Sequence, residues 1–477
     1  MKNMRPTLSS PLLSQLSDLV AAQTGLYYPQ ERWGDLERGI AAAAPDFNFS
    51  DTEPCVHWLL SAALTRHMSE ILASHLSVGE TYFFREKQSL EILGEQVLLP
   101  LLQSRRQNER RFRIWSAGCS TGEEAYTIAI LLDRLIPDLK EWNITILATD
   151  FNPKFLRKAV QGVYGEWSFR DVPVWLRERY FTKCGDGRFE IHPRIRKMVT
   201  FSYLNFAEDV YPSLSNNTSA MDVILCRNVL MYFTAQRAKQ VTGNFYRALV
   251  DGGWLIVSPA ESSNSLLSPF TPVDFPGTVF YRKLVNAESQ SQVREHPVLQ
   301  VFSETAVTPQ QRWASPEDPA VTEISAGQAS HFPVLQSDDR EASSRMALIC
   351  ANQGRLSEAL EWCDKAIMAD KMNPLHHYLS ATILQEQGRH EIAIQSLMRA
   401  LYLDPDFVLA HFSLGNLHQS QGRYPEAQRC FGNVLQLLHK HPQEEILADA
   451  DGLTAGRMVE IATSLLASLP QSATTDP

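Results

Sequence analysis

The sequence predicts an α/β domain set between two all-helical units. Three observations lead there. Short β-rich runs alternate with helical stretches from about residue 110 to 285, the first 80 residues carry apolar positions at helical spacing, and a glycine-centred pattern repeats with a 34-residue period near the C-terminal end. At 477 residues the chain is too long for one ordinary hydrophobic core, so several domains are expected.

In the first 80 residues the helical spacing shows in Leu12, Leu16, Leu19 and Val20, and again in Trp58, Leu59, Ala63, Leu64, Met68, Ile71 and Leu72. The runs beginning at Phe112, Ile144, Met198, Asp222, Gly252 and Thr278 read as buried strands, and their alternation with helices predicts a parallel sheet. A Gly-containing turn between two short extended pieces at 184–199 predicts a small antiparallel insert. From 286 to 337 the composition shifts to Ser, Gln, Glu and Pro, which predicts a solvated linker and loosely tethered domains. Beyond it Gln-Gly-Arg recurs around Gly354, Gly388 and Gly422, with Ala359, Ala393 and Ala427 at one repeat position and Ala366 and Ala400 at another. The spacing is the tetratricopeptide period. Three two-helix repeats closed by a helix near 453–466 are expected to form a groove, with Tyr378 and Phe412 among its lining residues, that binds a protein segment.

Composition excludes several function classes. Polar residues break every apolar run at the N-terminus and nowhere do about 18 apolar residues run together, so neither export nor membrane insertion is expected and a cytoplasmic location fits. The seven cysteines form no CxxC pair and the histidines no paired ligand spacing, so no metal site or disulfide framework is expected. A net charge of -10 disfavours nucleic acid as a partner.

The segment from Arg113 to Ile128 reads as strand, glycine turn at Gly118, then helix, a geometry that brings backbone against a ligand. It lacks GxGxxG, and its acids Glu123 and Glu124 would repel a pyrophosphate, so a cationic ligand is preferred. The second strand ends in Asp150, placed to accept from both hydroxyls of a ribose; the competing reading is a helix N-cap, which Asn152-Pro153 would serve equally. Cys119 and Cys226 read as small buried cysteines, and Phe83-Phe84 as packing.

Five motifs in order carry a family resemblance: Glu80-Thr-Tyr-Phe-Phe-Arg85, Ser120-Thr-Gly-Glu-Glu124, Ala148-Thr-Asp150, Leu204-Asn205-Phe206 and the run Cys226–Phe233. Over residues 12–285 the chain resembles the chemotaxis receptor methyltransferases of the CheR type, and its attached repeats resemble those of WspC-like enzymes. The resemblance implies an α/β fold class with a Rossmann-like S-adenosylmethionine methyltransferase domain (81–285, β insert 184–199) behind a small all-α domain (1–80). A linker (286–337) and a tetratricopeptide domain (338–470) follow. It further implies that Thr81, Arg85, Glu124, Asp150, Asn205, Phe206, Arg227 and Asn228, beside Gly118, surround S-adenosylmethionine, with Arg85 and Tyr232 flanking the reactive methyl. S-adenosylhomocysteine is the implied product, and the implied substrate is a glutamate on the cytoplasmic helical bundle of a chemoreceptor. An ionised carboxylate needs no general base, and a guanidinium, Arg85 or Arg227, can aim it.

The chain departs from the family at Gly79, where many members have Asn; the position is kept among the cofactor-binding ones. Acids outnumber bases in the first 80 residues, which counts against docking to an acidic receptor helix by simple charge attraction. The insert looks shorter than in members that capture a receptor's C-terminal pentapeptide, so a pentapeptide-independent enzyme is expected, and the repeats imply an alternative chemosensory pathway. The arginines at 105, 106, 110, 111 and 113 read as a solvated loop, or as a substitute docking patch. Two alternatives stand beside this reading: a methyltransferase of another substrate class, and a tetratricopeptide adaptor with a non-catalytic cofactor domain.

Overall fold

The computed structural model describes residues 8–284 and 337–469, apart from 63, 107–109, 209, 214–215, 264, 353, 440, 444, 446 and 448–453. The expected linker at 286–337 therefore lies outside the described residues except for its last one. No helix among the described residues is long and apolar enough to cross a membrane.

The α/β unit is built on β1 (Arg111–Ala117), β2 (Asn143–Asp150), β6 (Val199–Tyr203), β7 (Met221–Cys226), β8 (Leu249–Val257), β9 (Thr271–Phe275) and β10 (Thr278–Arg282), in the order β6-β2-β1-β7-β8-β10-β9. Every residue of β1 and of β7 is buried, as a sheet covered on both faces requires. Ile114 points into the core beneath the helix Glu123–Leu135, and its neighbour Trp115 into the opposite core with Phe245 of the helix Ala235–Ala248.

The sheet is mixed, not wholly parallel as expected. β6, β2, β1, β7 and β8 are parallel, but β10 runs antiparallel to both β8 and β9. The cause is local: only Pro276 and Gly277 (φ 82°) separate β9 from β10, a turn that can join antiparallel strands alone. β9 escapes sequence detection because Pro272 and Asp274 break its strand signature, which an edge strand tolerates.

The insert also differs from expectation. It is a three-stranded sheet, β3 (Val163–Tyr164), β5 (Arg188–Ile191) and β4 (Phe181–Cys184), so it begins near 163 and not at 184. Arg188–Ile191 pairs with strands that lie before Cys184, while Val199 opens β6 of the main sheet.

Four N-terminal helices, Ser10–Thr24, Trp33–Ala43, Thr52–Ser61 and Arg66–Leu76, enclose Leu16, Val20, Leu36, Ile40, Val56, Leu59 and Leu72. They are bolted onto the α/β unit by polar contacts. Asn152 Nδ2 donates to Ala73 O (3.2 Å) and Ser77 Oγ (2.7 Å), and Asn205 Nδ2 donates to Gln23 O (2.8 Å).

In the C-terminal unit the pairs Ser337–Asn352/Leu356–Ala369, Pro374–Glu386/His390–Leu403 and Val408–Ser420/Tyr424–Leu438 stack, followed by Ala455–Ser468. Gly354, Gly388 and Gly422 turn each pair with φ of 76°, 74° and 74°, where other residues would be strained. Ala359, Ala393 and Ala427 are fully buried where helices cross. Tyr378 and Phe412 are half-buried, with their rings packed on Phe407 (5.1 Å) and Phe431 (6.0 Å) between repeats.

The two units touch, contrary to the expected loose tether. Glu386, the last residue of its helix, pairs with Arg111 (3.0 Å) and Arg113, both buried; Asn143 Nδ2 donates to Glu386 O (3.1 Å). Arg113 N also donates to Asp222 (2.8 Å), which pairs with Arg105. Arg106 and Arg110 pair with Asp138, and Arg110 with Glu141. Arg111 and Arg113 are therefore not part of a solvated loop but a buried contact with the repeats, while Arg105, Arg106 and Arg110 keep exposed surface. Burial opposes ionisation of Glu386, yet the two guanidiniums hold its carboxyl below the usual range.

Removing one partner of a buried ion pair costs about 3–5 kcal/mol. Glu386→Gln is expected to release the repeats from the sheet, seen as a larger radius of gyration in X-ray scattering with helical content unchanged; an unchanged radius would show that the clamp does not hold the units together.

Candidate active site

The carboxyl ends of β1, β2 and β7, the loop after β6, the segment 77–85 and residues 24–26 after the first helix enclose one cleft. Its volume is about 960 Å³ with the open mouth included.

The floor is the turn after β1. Gly118 and Cys119 both donate their N–H to Thr149 O (2.8 and 2.9 Å), which presses the turn onto β2. Gly118 (φ 81°) admits no side chain: a Cβ there would lie 2.5 Å from Val229 Cγ2. The turn ends at Gly122 (φ 94°), and the helix Glu123–Leu135 begins.

Asp150, at the end of β2, accepts from Ser120 N and Asn152 N, both at 2.8 Å. The helix Pro153–Gln161 is capped instead by Asn152, whose side chain accepts from Lys154 N (2.9 Å) and Phe155 N (3.3 Å). Asp150 thus keeps lone pairs for the cleft. Burial pushes its carboxyl up to about 6, although the two amides pull the other way.

Of the two acids at the turn only Glu124 lines the cleft. Glu123 is turned away, buried and bonded to Thr121 Oγ1 (2.6 Å) and Ser168 Oγ (3.0 Å), with burial raising its carboxyl above the usual range. The sequence argument that both acids favour a cation is therefore corrected to one acid. Glu124 accepts from Ser116 Oγ (2.7 Å) and pairs with Arg227 (3.1 Å).

Arg227 bridges Glu124 and Glu86 (3.0 Å), and its Nη2 donates to Arg85 O (2.6 Å). It fixes the turn that carries Arg85, in which Phe84 and Glu86 take φ of 60° and 59°. Phe83 anchors that turn in the core, stacked on Phe169 (5.1 Å). Arg85 itself donates from Nη1 to Glu80 O (3.0 Å), and among the described residues no carboxylate pairs with it. Of the two guanidiniums, Arg85 is the one whose charge remains for a ligand.

The other sequence-derived positions distribute as follows. Thr81, Tyr232, Asn205, Phe206 and Asn228 line the cleft. Asn205 spends its amide on Gln23 O and its oxygen on Ala207 N (3.0 Å), so it braces the wall. Phe206 packs its ring against Trp115 and Tyr211. Gly79 is not among the lining residues, unlike its neighbours Val78 and Glu80; it sits under Phe155, where a Cβ would lie 2.4 Å from the ring's Cζ. The glycine thus serves close packing, which corrects its placement as a cofactor contact. Cys119 and Cys226 are buried, and burial raises both thiols well above their usual range.

Sequence reasoning missed Ser120, Phe151 and Thr24, all in the lining, and Glu261 behind it. Glu261 accepts from Asn228 N (2.6 Å) and Val229 N (2.7 Å), holding Asn228 at φ 60°. The signal was present as the capping box from Ser258 to Glu261.

Residues 79–276 match the family described as "CheR methyltransferase, SAM binding domain", and residues 381–422 and 410–445 match tetratricopeptide repeats. The chain is similar to "Chemotaxis protein methyltransferase 2" of Vibrio cholerae, at 36% identity over 208 residues that cover 44% of this chain and 70% of that protein. It is 31% identical to "Chemotaxis protein methyltransferase 1" of Pseudomonas aeruginosa over 45% of this chain and 77% of that one. The corresponding values for the "Chemotaxis protein methyltransferase" of Borreliella burgdorferi are 27%, 54% and 91%. The chain belongs to the CheR methyltransferase family.

A CheR methyltransferase takes its methyl from S-adenosylmethionine, and the cleft fits that molecule. Ser120 Oγ and Asn228 Oδ1 are buried polar atoms in the lining with no hydrogen-bond partner among the described residues, a state that a polar ligand would relieve. With Asp150 and Glu124 they offer acceptors to a cation and to hydroxyls.

Gly118→Ala would impose both a strained φ and the Val229 overlap, which together cost about 1–3 kcal/mol. The variant is expected to melt earlier and to lose S-adenosylhomocysteine binding by calorimetry; wild-type affinity would show that the turn is not part of the ligand site.

Proposed function

We propose that this CheR methyltransferase is a protein-glutamate O-methyltransferase acting on the cytoplasmic helical bundle of a chemoreceptor. The observation that carries the reading is Arg85: a guanidinium in the cleft lining, held by a backbone carbonyl and, among the described residues, by no acid. Such a group can hold a carboxylate through two parallel N–H bonds, which suits a glutamate acceptor.

When bound, S-adenosylmethionine supplies a methyl on a positively charged sulfur. In this reading Asp150 and Ser120 take its ribose hydroxyls, Glu124 and Asn228 take its ammonium, and Thr81, Asn205 and Phe206 complete the walls. Arg227 positions the Arg85 turn. Arg85 and Tyr232 hold the acceptor carboxylate, which at neutral pH is already ionised and needs no base. Residues 1–80 then roof the site, 81–285 hold cofactor and acceptor, and 338–470 recruit a protein partner.

Pentapeptide independence rests on the short hairpin of the insert, whose strands Phe181–Cys184 and Arg188–Ile191 have four residues each and turn on Gly185–Gly187. The repeats support placement in an alternative chemosensory pathway.

The test is transfer of radiolabel from S-adenosylmethionine to receptor cytoplasmic fragments with and without a C-terminal pentapeptide. Alkali-labile label on both is expected, with Arg85→Ala lowering kcat at least about 100-fold. Label stable to alkali would point to another acceptor, and label on the pentapeptide-bearing fragment alone would remove the independence.

Cofactor affinity is expected to depend on pH through Asp150. The ionised carboxylate accepts ribose hydroxyls, so affinity is full above about pH 6. It falls by up to about tenfold per pH unit as Asp150 takes a proton. Asp150→Asn should bind weakly without that step; a wild-type affinity flat from pH 5 to 8 would sink the assignment.

A further inference from the structure

Outside the cleft, an arginine and two aromatic rings are stacked beside its mouth. Arg170 lies with Cζ 3.6 Å from the centroid of Tyr82 and 4.5 Å from that of Trp167, and the same Tyr82 ring is 5.9 Å from Arg85 Cζ. Tyr82 and Arg85 line the cleft, whereas Trp167 is 71% exposed. The chain Trp167, Arg170, Tyr82, Arg85 thus leads from an open surface to the guanidinium of the proposed acceptor site.

The platform is rigidly founded. Ser168 and Phe169, between the two stack residues, are buried: Ser168 O accepts from Phe83 N (3.0 Å) and Phe169 stacks on Phe83. The segment is pinned, and Trp167 and Arg170 are carried outward. A large apolar ring held in water with its one face on a guanidinium contributes nothing to a core, and surface aromatics next to arginine are the composition of recognition surfaces.

Two acids stand near. Glu166 is held by Arg177 (2.8 Å). Glu80 touches Arg170 at 3.4 Å with 66% of its side chain exposed, a contact of the kind that solvent screens to little value. Arg170 Nη1 also donates to Trp167 O (3.1 Å), which fixes the guanidinium over both rings, and an incoming carboxylate with better geometry can displace Glu80 from Nη2 and take the second N–H of each terminal nitrogen.

Resting on the glutamate reading, we infer that Arg170, held between Tyr82 and Trp167, docks a second acidic residue of the acceptor segment while Arg85 holds the carboxylate to be methylated. The occupant is an acidic helix of the substrate protein. Glutamates recurring one helical turn apart would present one carboxylate to each arginine. Trp167 covers the apolar stem of the same helix. Arg170 and Trp167 are positioning residues for the acceptor and stay clear of the cofactor.

The test uses the full chain saturated with S-adenosylhomocysteine and a fluorescently labelled helical peptide with glutamates four residues apart, read by anisotropy. Wild type should bind it, with affinity falling as salt rises. Arg170→Ala and Trp167→Ala should each weaken binding about tenfold, the size of one charge-assisted contact. Arg170→Lys should recover only part. S-adenosylhomocysteine affinity and Tm should stay at wild-type values, and with a receptor fragment the loss should fall on KM rather than kcat. Equal peptide binding by wild type, Arg170→Ala and Trp167→Ala overturns the inference, as does no binding by wild type. The glutamate reading is judged separately by alkali-labile label, so either can fail without the other.

Discussion

The site is held together by one buried guanidinium. Arg227 lies at the end of β7, yet its side chain ends on Glu124 of the helix after β1 and on Glu86 and Arg85 O of the turn before the sheet. Three segments far apart in sequence meet on one planar group whose fork geometry fixes their angles. Neutralising two carboxylates at once makes its burial affordable, and that cost is one a hydrophobic residue of equal volume would avoid. Its retention makes sense as positioning. With Glu86 and Glu124 both committed to Arg227, Arg85 is left beside them with a backbone partner and a free charge.

Much of this was readable in the sequence, and the failures have physical causes. The buried strands of the main sheet, the three helical repeats and ten of the residues lining the cleft could be located, the strands because buried parallel strands are continuous apolar runs and the repeats because they echo themselves. Glu123 and Glu124 could not be told apart, since adjacent helical residues point about 100° from one another and only the packing of Ser168 decides which faces inward. Gly79 looked like a lost ligand contact, but the ring of Phe155, 76 residues on, explains it. Arg105, Arg111 and Arg113 looked solvated because their partners, Asp222 and Glu386, lie more than a hundred residues away. Local pattern identifies elements; ion pairs between distant segments leave no local trace.

The cleft and the repeats occupy opposite ends of the same strands. Arg111, Arg113 and Asn143, which hold Glu386, stand at the start of β1 and β2, whereas Gly118 and Asp150 stand at their ends. Nothing bound to the repeats therefore has to pass the cofactor, and the Trp167 surface is left open. In the proposed function a partner recruited by the repeats leaves the mouth free, and the gain takes the form of effective concentration, which depends on how firmly the two units are joined. A flexible tether would spread that concentration over a large volume; a clamp built from two buried arginines on one carboxylate restricts it to a single direction. In the proposed function Glu386 would therefore bear on substrate choice while touching neither cofactor nor acceptor, by fixing where a partner recruited by the repeats stands relative to Arg170 and Arg85.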